Sequence, residues 1–233
     1  MRDTRMSNRS MNADARIKPA KIAKASLSGQ VYEDLRERIR KGQITFDDRL
    51  VDVDIAKNFG VSRMPVREAL LQLVHDGMLE STTRGFMLRR YSDQEVDEIF
   101  EIRLLLEPAA ATIAAKNMTE AALKKMDSAL HAGMKAHKTG DFTAFVVANA
   151  AFRGAWLAQV PNQQLVAALT RYIDHVQVIR LVTLSQPAVR NDVLDRLGGI
   201  YEAFRVGKSD RVNALFKQHV NAATEAYRTY RPS

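Results

Sequence analysis

The sequence contains no cysteine, which excludes disulfide bonds, thiol catalysis and cysteine-based zinc sites and is compatible with a reducing cytosol. It also lacks any apolar run that approaches the roughly 20 residues of a membrane-spanning helix. No apolar segment follows the basic start of the chain, which argues against a secretory signal peptide. We therefore expect a cytoplasmic protein without a membrane partner.

Acidic residues are fewer than basic ones, with 27 Asp and Glu against 35 Lys and Arg, and the formal net charge is +8. This excess favours a polyanionic partner, with nucleic acid ahead of a membrane surface, although many soluble proteins are basic without one. The 233 residues suffice for a small domain plus a larger one. Residues 1–25 are basic and have no hydrophobic pattern, so they are predicted to be a disordered arm. Such an arm follows DNA phosphates or is a solvated tail; an organellar transit peptide is a weak third option, since the segment is rich in arginine and poor in acidic residues.

Residues 52–79 have the pattern of two short helices joined by a tight turn. Asp52 is predicted to cap the first helix, and Gly60 to end it in a left-handed conformation. Ser62 is then predicted to cap the second helix, with Pro65 in its first turn, where a missing N–H breaks no intrahelical bond. This arrangement is typical of a helix-turn-helix whose second helix enters the DNA major groove.

The second of these helices has two distinct faces. Apolar residues recur at helical spacing and predict the buried face, namely Val66, Ala69, Leu70 and Leu73. Arg63, Met64 and Arg67 are expected to project from the opposite face, near the N-terminus of the helix. These three residues and Ser62 are therefore the candidate DNA contacts on the recognition helix.

Further elements complete a winged helix-turn-helix over residues 26–91. A first helix is predicted from Ser26 to Lys41, before a short link to the helix-turn-helix. After it, two β-prone runs flank Thr83, Arg84 and Gly85 and predict a hairpin, the wing. Its tip, Arg84 and Gly85, is a candidate contact for phosphates or the minor groove. The alternative is an ordinary surface turn with a chance arginine.

From residue 92 to residue 233 the pattern is helical throughout. Ser92 and Glu95 form a capping box, and Pro108 is predicted to kink or split the helix that follows. The remaining helices are predicted over 119–139, 142–160, 163–184, 189–206 and 209–230, with Asp141 capping the second of these five and Ser209 or Asp210 capping the last. Short connections between long amphipathic helices indicate an antiparallel bundle. The expected fold is thus mainly α.

The segment from Gly60 to Leu79, GVSRMPVREALLQLVHDGML, resembles the signature of the GntR family of bacterial transcription regulators. Further along, EIRLLLEPAAATIAA from Glu101 to Ala115 is similar to the start of the all-helical FCD effector domain of the FadR-like branch. The resemblance extends from about Ser26 to the C-terminus. It departs from the family in the link before the helix-turn-helix, where a Pro-Gly turn is usual and this chain has Phe46-Asp47.

The resemblance implies a homodimer that binds palindromic double-stranded operator DNA, usually as a repressor, and releases it when a small metabolite occupies the helical domain. It implies a cytoplasmic, nucleoid-associated bacterial protein. Arg63 and Arg67 match two arginines of the family's recognition helix. Ser62 matches a position whose hydroxyl caps the helix and faces phosphate, and Gly85 matches the glycine of the wing. One arginine would then pair with guanine and the other with phosphate. The alternative for one of them is a salt bridge with Glu68 or an acidic residue of the preceding helix.

In many FCD domains an Asp, a His four residues later and two further His hold a divalent metal. The matching positions here are Asn149, Arg153, Leu197 and His219. A guanidinium cannot be a metal ligand and leucine supplies no donor, so no bound metal or other cofactor is expected. The replacement suggests instead that Arg153 binds the carboxylate of a small organic-acid effector directly.

Alternatives stay open for this site. Arg153 can simply pair with a nearby carboxylate, and His219 can be a hydrogen-bonded core histidine. Arg103 is first expected to pair with Glu107 one turn on, and only second to contact a ligand; Arg180 is a weaker candidate. The sequence contains no recognisable set of a nucleophile with its base and no glycine-rich phosphate loop, so an enzyme is not expected. A regulator or architectural DNA-binding protein with a vestigial effector pocket remains the second hypothesis.

Overall fold

The computed structural model describes residues 26–231, apart from the side chains of Ile173 and Asp174. The predicted basic arm, residues 1–25, lies outside the described residues. Nine helices and two strands occupy the described part of the chain, in the order α1 (Leu27–Arg40), α2 (Asp52–Phe59), α3 (Arg63–His75), β1 (Leu79–Thr82), β2 (Gly85–Leu88), α4 (Asp93–Lys116), α5 (Glu120–Thr139), α6 (Phe142–Leu157), α7 (Gln163–Leu184), α8 (Pro187–Arg205) and α9 (Ser209–Tyr230). The predicted mainly α fold is confirmed.

Helices α1 to α3 form the helix-turn-helix and its support. The apolar stripe of α1 is buried against α3, whose own buried face is the predicted one. Gly60 adopts the left-handed conformation with φ of 65°, and Pro65 lies in the first turn of α3, both as predicted. Two capping predictions were wrong. Val51 and not Asp52 is the N-cap of α2, because the Asp52 carboxylate turns towards α3; Ser62 occupies the N-cap position of α3 but its side chain makes no capping hydrogen bond.

The wing is the predicted hairpin. Strands β1 and β2 pair antiparallel from Leu79 opposite Leu88 to Thr82 opposite Gly85. Leu50 in the preceding link extends this ladder, since it exchanges two 2.8 Å backbone hydrogen bonds with Phe86. Gly85 has φ of 132°, and a Cβ there would lie 2.6 Å from the Leu50 carbonyl oxygen. Only glycine therefore fits at the point where the wing meets the link.

The link that lacks the Pro-Gly turn is held by side-chain hydrogen bonds. The Asp48 carboxylate accepts from the backbone N–H of Thr45 at 2.7 Å and from the Thr45 hydroxyl at 2.8 Å. These bonds close a turn around Phe46-Asp47 without proline or glycine. The departure from the family pattern thus leaves the path to α2 intact.

Helices α4 to α9 form the predicted bundle, in which α5 packs mainly on α6 and α4 on α9. The capping box of Ser92 and Glu95 and the cap from Asp141 are confirmed. The predicted split at Pro108 does not occur. Helix α4 runs on through it, because small alanines just beyond are fully buried and the Asn213 amide of α9 donates to the Pro108 carbonyl at 3.2 Å.

Two helix starts differ from the sequence expectation. Helix α8 begins at Pro187 rather than near residue 189, since proline suits the first helical position. Helix α9 has Lys208 as its N-cap, so neither Ser209 nor Asp210 caps it. In the described residues, no helix is long and apolar enough to cross a membrane.

In the described residues, helix α7 joins the helix-turn-helix to the bundle through two groups of contacts. The Gln177 side chain of α7 donates to the Arg40 carbonyl at the end of α1 at 2.9 Å. The Tyr91 hydroxyl donates to the Gly77 carbonyl, just after α3, at 2.6 Å and lies 2.7 Å from Nδ1 of His175 on α7. Helix α7 therefore contacts the end of α1, which packs on α3, and the turn that follows α3.

Candidate DNA interface and effector site

The predicted exposed face of α3 is confirmed by its burial pattern. Met64 is 70% exposed, and the side chains of Arg63 and Arg67 are 64% and 62% exposed. On the opposite face Val66, Ala69, Leu70 and Leu73 are fully buried. Three long side chains thus project from the N-terminal half of α3, which is the end that enters a major groove in this motif.

Asp52 on α2 holds the two arginines of α3 side by side. Nη2 of Arg63 lies 3.3 and 3.2 Å from the two Asp52 carboxylate oxygens, and Nη1 of Arg67 lies 3.6 Å from one of them. Burial would raise the pKa of Asp52, but the hydrogen bond and charge of Arg63 outweigh it and hold the pKa below its ordinary value. The ion pair with an acidic residue of the preceding helix, the alternative expected from the sequence, is therefore formed in the absence of DNA. Its acidic partner is Asp52 and not Glu68.

The tip of the wing lies at the exposed end of the hairpin. Arg84 is exposed, and its backbone N–H donates to the Thr82 hydroxyl at 3.3 Å, which orders the turn. The guanidinium of Arg84 extends from a rigid two-strand ribbon next to Gly85. This geometry suits a contact with phosphate or the minor groove.

Inside the bundle lies a group that we name the arginine cluster: Arg103 and Glu107 of α4, Arg153 of α6 and Arg180 of α7. Nε and Nη2 of Arg103 donate to the two Glu107 oxygens at 2.8 and 3.4 Å, and Arg103 is only 1% exposed. The predicted intrahelical ion pair is thus confirmed. Nη2 of Arg180 donates to Oδ1 of Asn149, which joins α7 to α6.

The arginine cluster has more positive than negative charge. Burial would raise the pKa of Glu107, but Arg103 and Arg153 outweigh it and lower that pKa to about 2. Burial lowers the pKa of Arg153 to about 10, so it stays protonated near neutrality. Burial and then the charge of Arg180 lower the pKa of His219 to about 3, which keeps the imidazole neutral. Three guanidinium groups therefore face one carboxylate.

Several polar atoms of this region have no hydrogen-bond partner among the described residues: Nη1 of Arg103, Nδ2 of Asn149 and Nδ1 of His219. Buried unsatisfied groups are uncommon and each costs free energy, so they call for a partner such as water or a ligand. The cavity beside Asn149, Arg153 and His219 is about 10 Å³, which is the space of a single water molecule, and the one beside Arg103, Arg180 and His219 is about 20 Å³. Neither of these two cavities has room for an organic acid.

The structure brings together the four positions that match the metal ligands of other FCD domains. Asn149, Arg153, Leu197 and His219 all line the smaller of these two cavities. Their chemistry does not suit a metal ion, because the Asn149 oxygen accepts from Arg180, Arg153 is cationic and Leu197 is apolar. Among the described residues no three His, Asp or Glu side chains are grouped so that they could hold one.

Arg180, the weaker candidate from the sequence, is a full member of the arginine cluster in the structure. It is buried and bonded to a predicted site residue, yet no local spacing connects it to α6. The available signal was composition, since Arg180 is the only charged residue in the apolar run VQVIRLVTL, from 176 to 184. A lone charge in a buried helix usually has a partner or a function.

An exposed recognition helix with paired arginines, a basic wing and a helical bundle define a DNA-binding protein of the winged helix-turn-helix class with a second, all-α domain. Residues 27–85 match the model of the gntR family of bacterial regulatory proteins, and residues 98–222 match the FCD domain. The chain therefore belongs to the GntR family and has an FCD effector domain.

Named relatives agree with this assignment. The HTH-type transcriptional regulator YdhC of Bacillus subtilis is 30% identical over 195 residues, which cover 83% of this chain and 85% of YdhC. The probable D-xylose utilization operon transcriptional repressor of Paenarthrobacter nicotinovorans is 25% identical over 203 residues, 87% of this chain and 89% of the repressor. The solved structure of E. coli McbR/YncC is similar with a TM-score of 0.73 and 25% identity, covering 89% of this chain and all of that one. The protein is a DNA-binding transcription regulator and not an enzyme.

Proposed function

We propose that this regulator is a homodimeric repressor that leaves its operator when a small organic acid binds to the FCD domain. Residues 26–91 would act as the DNA-binding unit and residues 92–233 as the unit for effector binding and dimerisation. The name of the Paenarthrobacter relative, a transcriptional repressor, supports repression. The protein would work in the bacterial cytoplasm, on the nucleoid, without a membrane partner.

On the DNA side, Arg63 and Arg67 would enter the major groove, one paired with guanine and the other with phosphate. Met64 would contact base edges between them, since it is the most exposed apolar side chain of α3. Ser62 at the helix N-terminus and the wing tip, Arg84 and Gly85, would contact the backbone. A dimer would place two such units on half-sites about one helical turn apart.

On the effector side, the arginine cluster is the observation that supports the proposal most strongly. The buried Arg103 and Arg180 and the half-buried Arg153 against one carboxylate leave an excess of positive charge in a region of low dielectric, which is unfavourable without a further anion. Guanidinium groups bind carboxylates in a bidentate manner. Arg153, the half-buried arginine of the cluster, would hold the acid, with the buried Arg103, Asn149 and His219 on the inner side of the site, and no metal would take part.

The test uses an operator selected from random DNA by the purified protein and labelled for fluorescence anisotropy. Organic acids, amino acids and sugar acids are titrated into the complex, and we expect at least one to release the DNA. Arg153→Gln should abolish this release and leave DNA affinity unchanged. Arg211→Gln, which removes the same charge from an exposed position of α9, is the control and should respond like the original protein. Equal responses of the two variants would refute the role of Arg153.

A second candidate function is favoured by the size of the inner cavity, which holds about one water. In that case the protein binds DNA without an effector and the pocket is vestigial. The same titration separates the two candidates: a regulator with a working pocket loses DNA with one of the acids and gains thermal stability from it, whereas a vestigial pocket gives neither effect.

A further inference from the structure

A second and much larger space lies between α1 of the DNA-binding unit and the helices α6 and α7 of the bundle. This interdomain cleft has a volume of about 430 Å³, within the range of small-molecule pockets. Glu37 and Lys41, which pair at 3.1 Å, and Arg40 line it on the α1 side. Val147, Ala150 and Leu157 line it on the side of the bundle.

The cleft and the arginine cluster share Arg153. This half-buried side chain lines both the small inner cavity and the cleft. It makes no hydrogen bond or ion pair with any side chain or backbone group that the structure describes, and the negative charge that acts on its pKa is that of Glu107. Its guanidinium is therefore available to an anion that arrives from the cleft.

The face of α6 that borders the cleft is apolar although much of it is exposed. Arg153 is the only charged residue of α6, whose sequence is FTAFVVANAAFRGAWL. Val147, Ala150 and Gly154, which recur at helical spacing, are all exposed at this face. An exposed helix face normally has several charged side chains, so this one suits the apolar body of a ligand.

We propose that the interdomain cleft is a ligand site for an organic acid with an apolar body. The carboxylate pairs with Arg153, and the body packs against Val147, Ala150 and Leu157 below α1. The inner cavity is too small for such a body, whereas the cleft has room for it. This inference rests on the proposed function, because it gives the place of the effector whose action on DNA is proposed above.

The position of the cleft gives the ligand a direct route to the recognition helix. Helix α1 packs on α3, and its last turn is joined to α7 by the 2.9 Å hydrogen bond from Gln177 to the Arg40 carbonyl. A ligand in the cleft lies between these helices. If it binds better when they are further apart, it shifts the population away from the arrangement that places α3 on DNA.

The absence of cysteine makes a direct test possible. Ala150→Cys places a single thiol in the cleft, and Ala132→Cys places one on the exposed surface of α5 as the control. The rate of alkylation by iodoacetamide is measured with octanoate and phenylacetate, with the neutral octan-1-ol and 2-phenylethanol, and with succinate, which has two carboxylates but no apolar body. We expect an apolar acid to slow alkylation of the Ala150→Cys variant at least about fivefold, and to leave the rate of the Ala132→Cys variant unchanged.

Further variants separate charge from burial. In the Ala150→Cys background, Arg153→Gln should remove the protection and Arg153→Lys should keep part of it. Equal protection by an acid and its neutral analogue would overturn the pairing with Arg153. If the thiol of the Ala150→Cys variant reacts slowly without any probe and becomes fast on dilution, a second copy of the chain fills the cleft and the proposal is wrong.

Failure of the cleft and failure of the proposed function give different results. If an acid releases DNA but leaves the thiol in the cleft unprotected, the regulator has its effector site elsewhere and only the cleft is refuted. If no acid releases DNA and none protects that thiol, the proposed response to an organic acid is refuted, and so is the proposed ligand site in the cleft.

Discussion

Replacing Asp52 with asparagine removes the charge that holds Arg63 and Arg67 side by side and changes little else. The Asp52 side chain is 10% exposed, and its oxygens lie 3.2 to 3.6 Å from the two guanidinium groups, which are themselves more than 60% exposed. Ion pairs with such exposed arginines contribute about 0.2–1 kcal/mol to stability. The variant should therefore fold, with a loss of stability below about 1 kcal/mol.

Its effect on DNA recognition should be larger than its effect on stability. A well-placed bidentate pair with a base discriminates by about 1–3 kcal/mol. If Asp52 sets the arginine positions, the ratio of specific to non-specific affinity should fall by roughly 5- to 150-fold. Non-specific affinity itself should rise, because a negative charge near the phosphates is lost.

The assay is anisotropy with the selected operator and with a scrambled duplex, at two salt concentrations. Asp54→Asn is a matched control, since Asp54 is exposed on the same helix and pairs with no described residue. Both variants lose one charge, but only Asp52→Asn should lower the ratio. An equal rise of both affinities in the two variants would show that Asp52 acts through charge alone and would refute the positioning role.

Three further results are expected. Arg67→Ala should weaken operator binding by about 1–3 kcal/mol and relax specificity at one base pair; a uniform loss across sequences, with a weaker salt dependence, would assign Arg67 to phosphate. Between pH 7 and 5 the free energy of unfolding should fall by about 2 kcal/mol more in the original protein than in His219→Gln. The reason is that His219 takes up a proton below pH 6.5 in the unfolded chain, whereas the buried His219, with a pKa of about 3, does not. An equal fall of the unfolding free energy in both proteins, measured by denaturant titration at each pH, would contradict this. Elemental analysis of protein purified without chelator should find no stoichiometric metal, and one equivalent of zinc, nickel or manganese would overturn the metal-free site.

The recognition helix was predictable because its determinants are local. Gly60, Pro65 and the apolar spacing of α3 act within one or two turns, and the structure has each of them as the sequence indicates. Asp52 shows the limit of local reasoning. An acidic residue at a helix start suits both a cap and an ion pair, and the choice depends on where α3 lies in space.

The helical domain shows the same limit over longer distances. The bond from Arg180 to Asn149 joins residues 31 positions apart, and it exists only because α6 and α7 pack together. Pro108 disfavours a continuous helix locally, yet burial of the small residues that follow it outweighs that preference. The resemblance to the family was enough to locate the four positions that match the metal ligands. It could not predict the surplus of positive charge around them, because that surplus depends on how α4, α6 and α7 pack.

That surplus explains how an FCD domain without the usual metal ligands can still attract an anion. Three arginines and one glutamate lie around Asn149 and His219, two of the four positions that match metal ligands in many FCD domains, and the arginines outnumber the carboxylate there. A metal exchanges its ligands and is lost to chelators, whereas a guanidinium is covalently fixed and directs its N–H groups in a plane. With the pKa of Glu107 near 2, that of His219 near 3 and that of Arg153 near 10, these three groups keep their charge states from pH 5 to 8. The response to an acid should therefore be insensitive to chelators and nearly constant over this range, and a response that needs added metal would place the effector's charge partner outside the arginine cluster.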